Sequence, residues 1–125
     1  MDHMGFCLLN LAKYFYLKNE MDKAFNCFSM ALENFERGYY RAECYMTSLY
    51  LYLISDDQQF LQRSRDYYNN LKTEAFMVIE EINQSSLLLD LFGIDIKAHQ
   101  FILPDLSDIM EKSILKEKLA KLVIF

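Results

Sequence analysis

The sequence is poor in residues that end helices, with one proline and three glycines in 125 residues. That excludes collagen-like, low-complexity and linker-rich chains. It also argues against an all-β domain, which needs turn residues every ~8–12 positions. A basic excess is missing too: 13 Lys and Arg stand against 18 Asp and Glu, a net charge of −5. Nucleic-acid binding draws its affinity largely from neutralised phosphates, so no nucleic-acid partner is expected. The one lysine-dense stretch, Lys112, Lys116, Lys118 and Lys121, is interleaved with Glu111 and Glu117 and reads as a solvated helix face. Cys7, Cys27 and Cys44 form no CxxC or Cys/His cluster. They read as small buried hydrophobes in a reducing compartment, so a cytoplasmic location is expected. Long apolar runs are absent as well. Residues 6–17 are interrupted by Asn10 and Lys13, and residues 45–54 are too few. Both fall short of the ~18–20 residues that span a bilayer, and no signal peptide is visible, so no membrane partner is expected.

What the chain does have is apolar and aromatic mass: 53% hydrophobic and 15% aromatic, from nine Tyr and ten Phe. Disordered chains lack this. A chain of this length buries roughly two-thirds of its unfolded surface, enough for one domain over residues 5–125. His3-Met4 matches the pair left by a common cloning site, so residues 1–4 are expected to be vector-derived or disordered.

Helical periodicity runs through the chain. Leu8, Leu11, Ala12 and Phe15 are spaced i, i+3, i+4, i+7, predicting a helix over 6–17, with Leu9 and Tyr16 as a second apolar face. Asn19 can take the left-handed conformation that ends it. A second helix is expected over 22–36, stopped at Gly38, and a third over 39–54. Ser55-Asp56-Asp57 is an N-cap cluster for a fourth helix over 57–71. Thr73 or Glu74 is read as the start of a fifth, ending near Gly93. A short helix over 97–103 is broken by Pro104. Asp105 or Ser107 then caps a last helix with the stripe Ile109, Leu115, Leu119, Leu122 and Val123.

The pattern repeats every 37 residues: Ala24, Leu61 and Ala98; Leu8, Tyr45 and Ile82; Phe15, Tyr52 and Leu89. In the first period, Leu8, Leu11-Ala12, Phe15, Ala24, Phe28 and Ala31 stand where small and aromatic residues let helix hairpins approach and interlock. Over about residues 5–40 this resembles a tetratricopeptide repeat (TPR). It departs from that pattern at Leu49 and Arg65 in the second period, and the usual Trp is missing. The resemblance implies an all-α, right-handed helical-hairpin solenoid of about three TPR-like hairpins plus a C-terminal capping or interface helix.

Chemistry has little to stand on. There is no phosphate-binding glycine loop and no Gly-x-Ser-x-Gly elbow. His3 and His99 are isolated, and Glu80-Glu81 and Asp56-Asp57 are adjacent pairs that do not face each other on a helix. No enzymatic activity, cofactor or metal is expected.

In TPR-like solenoids the first helix of each hairpin lines a concave groove. Carried over by the 37-residue step, the resemblance places Leu9, Asn10, Lys13 and Tyr16 on that groove, then Met46, Thr47 and Tyr50, then Asn83, Gln84 and Leu87. Amides, tyrosines and a methionine suit an extended peptide or a helix. The expected function is a protein- or peptide-binding adaptor. The peptide-sensing part of a bacterial regulator and a small secretion chaperone both fit inside it. The alternative is a structural oligomerisation module, a homodimer joined through Leu115, Leu119, Leu122 and Val123 of the last helix.

Overall fold

The computed structural model describes residues 3–84 and 103–122, with side chains described outside 78–84. Its described residues hold five helices and no strand: α1 (His3–Leu17), α2 (Met21–Arg37), α3 (Arg41–Ser55), α4 (Gln58–Gln84) and α5 (Lys112–Ala120). The all-α expectation is met. The chain divides into two compact units: Met1–Tyr68 with Asp105–Phe125, and Asn69–Pro104.

The first unit is built from helices joined by two- or three-residue turns, which forces neighbours to run antiparallel. α1 packs on α2, α2 on α3, and α3 on α5. The turns have a common chemistry. Asn19 and Asp56, thirty-seven residues apart, both adopt φ 61°. Asn and Asp are the non-glycine residues that enter the left-handed region most readily. At the second turn the left-handed residue is Tyr39, φ 59°, and not the neighbouring glycine. Gly38 serves a different need. A Cβ there would stand 2.6 Å from Cε2 of Tyr40, whose ring meets Phe6 at 5.5 Å and Phe35 at 6.1 Å. Asp57 caps α4 as expected: the Gln59 N–H donates to Asp57 Oδ1 at 3.0 Å.

The small residues of the first period sit where the helices touch. Ala12, Ala24 and Ala31 are fully buried, as is Phe28. Leu61, one period after Ala24, is buried too; Ala98 lies outside the described residues. α3 is the central helix, with every residue from Glu43 to Tyr52 buried. Thr47 and Ser48 bury hydroxyls that have no hydrogen-bond partner among the described residues.

Four expectations need correction. α4 runs unbroken through Thr73 and Glu74, so the separate fourth and fifth helices are one helix of 27 residues. No Gly or Pro stands between Leu71 and Ala75, and a capping residue without a breaker does not end a helix. The last helix starts at Lys112, later than Asp105 or Ser107. Asp105 instead closes a local turn, accepting from the Ser107 N–H at 3.0 Å and from the Ser107 hydroxyl at 2.6 Å. His3 and Met4 are helical, not disordered. Finally, the three thiols are not alike: Cys44 is buried, Cys27 half-buried and Cys7 exposed. The break expected at Pro104 is present, since residues 103–106 are not helical.

One buried charge sets a pH dependence. Burial pushes the Glu43 carboxyl above its ordinary range, with a backbone hydrogen bond opposing. The folded state therefore holds that proton more tightly than the unfolded chain. The contribution is fully present below the unfolded value of about 4.3 and is lost as pH rises through the folded value. Glu43→Gln is expected to unfold at a temperature a few degrees higher than the parent at pH 7. The difference should close near pH 4; an equal gap at both pH values, followed by circular dichroism, would refute the assignment.

Candidate functional site

The expected groove face is the inner side of α1 and α3, and the first unit brings Tyr16 and Tyr50 of it into contact. Leu9, Met46, Thr47 and Tyr50 are buried, Lys13 and Tyr16 half-buried, and Asn10 exposed. The tyrosines belong to an aromatic cluster. Tyr50 stacks on Phe28 with centroids 4.7 Å apart, and Tyr16 meets Tyr50 edge-on at 5.5 Å. Tyr50 is 6% exposed, and burial pushes its hydroxyl up to about 12. It is a core residue with little surface to offer a ligand. Lys13 is partly desolvated, which lowers its pKa. The third set of groove residues lies beyond the described side chains. Asn83 and Gln84 fall at the end of the continuous α4, their side chains beyond those described, and Leu87 lies outside the described residues.

A segment of the same chain packs beside this face, on Tyr45, Tyr52 and Asp56 of α3, and reaches it at Tyr16. Leu106 meets Tyr45 and Lys112 meets Asp56, with α5 beginning at Lys112. The buried Leu106 donates its backbone N–H to the Tyr45 hydroxyl at 2.7 Å. Arg65 of α4 donates to the Ser107 carbonyl at 3.3 Å and lies 4.0 Å from Asp108. Desolvation, partly offset by the Leu106 bond, holds the Tyr45 hydroxyl well above the ordinary tyrosine range. α5 then buries Leu115 and Leu119, an i,i+4 pair on one helix face. Its lysines reach aromatic faces on either side. Lys112 Nζ lies 5.3 Å from the Tyr52 ring centre and pairs with Asp56 at the end of α3. Lys116 Nζ lies 5.3 Å from the Tyr16 ring centre on α1.

Leu115 and Leu119 are thus buried within a single chain; Leu122 is half-buried, and Val123 lies outside the described residues. Sequence reasoning missed Tyr45, Tyr52, Asp56 and Arg65 as contact residues. Arg65 carried a faint signal: it replaces the aromatic that Phe28 supplies one period earlier.

Elsewhere in the unit, Glu36 accepts from both Arg63 and Tyr67 across α2 and α4. Cys44 lies beside this cluster, and burial with the nearby Glu36 charge pushes its thiol up to about 12. A shallow depression of about 390 Å³ is lined by Met21, Asp22, Phe25, Asn26, Ile54 and Ser55. No group of three metal-ligating side chains occurs among the described residues, and no described helix is long and apolar enough to cross a membrane.

No family model matches the chain, and no curated protein or solved structure matches it either.

Proposed function

We propose that this chain is a non-enzymatic protein- or peptide-binding adaptor of the TPR-like kind, its partner held on the inner face of α1 and α3. One observation carries the proposal. Tyr45 and Arg65 direct their side chains to the main chain of a crossing segment, one to an N–H and one to a carbonyl. Main-chain recognition of this type holds a ligand by its backbone and leaves specificity to neighbouring pockets. Asn10, exposed, and Lys13, half-buried, are the polar groups that the expected groove carries on α1. A bacterial peptide sensor and a secretion chaperone remain the two finer forms of this proposal.

The test follows from exposure. Tyr50 is unsuitable, because its removal opens the core. Asn10→Ala and Lys13→Ala, made together, are expected to leave the unfolding midpoint within about 0.5 kcal/mol of the parent, as surface changes do. They should weaken capture of a partner isolated with the parent chain from its native cells, by tenfold or more. Undiminished capture by the double variant refutes the assignment of this face.

Self-association, the second proposal, finds its support on α1 and not on the last helix. Met4, Leu11 and Tyr14 are 60%, 44% and 53% exposed and, with Cys7, form a stripe at steps of three and four. An apolar stripe opposite a helix's buried face is a surface for a second helix, here α1 of a second copy. Sedimentation equilibrium is expected to show a weak dimer that Leu11→Glu abolishes. A parent chain that stays monomeric at several hundred micromolar would rule it out.

A further inference from the structure

We infer that residues 105–122 are an internal occupant of the binding face, released when a partner of the same pattern competes for it. This rests on the proposed adaptor function and names the partner's chemistry. The occupant has two parts. A turn over residues 105–109 is gripped through its backbone by Tyr45 and Arg65. A helix follows with the pattern Lys-x-x-Leu-Lys-x-x-Leu, from Lys112 to Leu119. Each pattern position has a receiving group. The two leucines enter the core, the first lysine meets Tyr52 and Asp56, and the second meets the Tyr16 ring. The partner is therefore a basic amphipathic helix preceded by a short turn. The acidic net charge of the chain favours its approach.

The occupant is built to leave. α5 has nine residues and no side-chain hydrogen bond at its N-cap. Helices this short do not persist alone in water. The side chains of Lys112 and Asp56 remain 41% and 70% exposed, so water already competes for their pairing. By contrast α3 buries ten consecutive residues. Segments with few buried contacts open independently of the core that carries them.

Two measurements on the full-length chain test this. In hydrogen exchange, amides of residues 115–120 should exchange at least a hundredfold faster than those of 47–52. Equal rates would mean that α5 opens only when the whole unit unfolds, and the inference fails. In the second, the probe is a fluorescein-labelled synthetic peptide of residues 105–122. A Lys112→Ala/Lys116→Ala chain keeps its leucines and its fold but holds its own segment less tightly. It is expected to bind the peptide, which retains both lysines, at least tenfold more tightly than the parent does. Equal affinity, or no binding to either chain, overturns the inference. Loss of partner by the Asn10/Lys13 variant in the face of equal exchange rates would leave the adaptor function standing without a displaceable segment.

Discussion

Phe28→Ala is expected to cost about 3–5 kcal/mol and to leave a large fraction of the chain unfolded at 37 °C. Phe28 is fully buried, stacks on Tyr50 at 4.7 Å and meets Tyr16 at 6.4 Å. Its ring therefore joins α2 to both α1 and α3. Truncation removes the transfer energy of a whole ring and leaves a cavity walled by rigid neighbours. Ala24 and Ala31, one turn to either side, have no atoms with which to fill it. Urea unfolding followed at 222 nm measures the loss. Phe28→Leu, which keeps most of the volume, should lose distinctly less; an equal loss in both would mean that ring stacking, not cavity formation, sets the cost.

The second large effect is local. Tyr45→Phe deletes one oxygen and should cost about 1–3 kcal/mol, because the buried Leu106 N–H loses its acceptor. Tyr45 itself is fully buried and touches Tyr68 at 5.5 Å, so its ring will stay in place. The loss should therefore appear first as faster hydrogen exchange at Leu106 and in α5, with α1 and α2 unaffected. Uniform acceleration across the first unit would show that the hydroxyl supports the whole core.

The parts of this fold readable in the sequence are those set by local chemistry. Asn19 and Asp56 announce their turns, because few other side chains tolerate the left-handed backbone. Ala12, Ala24 and Ala31 announce a tight hairpin, because nothing larger fits between close helices. Tyr39 was not foreseeable, since a bulky residue at positive φ persists only where its surroundings impose it. Thr73 misled for the opposite reason: its preference for caps is weak, and no neighbour breaks the helix.

Of the candidate site, one contact was legible. Periodicity put Tyr16 and Tyr50 on facing helices, where their rings meet, but it treats every inward position alike. It could not tell Tyr50, consumed by the core, from Lys13, which stays partly accessible. Nor could it pair Tyr45 with Leu106, sixty-one positions later, or Arg65 with Ser107. Such contacts depend on where the chain returns after Pro104, and no repeat encodes that return.

Because Tyr45 and Arg65 grasp an amide and a carbonyl, their grip fixes the path of the chain at positions 106 and 107 without reading either side chain. What stands there is restricted instead by room, since Leu106 and Ser107 are both buried. Homologous chains should thus keep small or apolar residues at these two places while varying freely at the exposed positions between them and the helix.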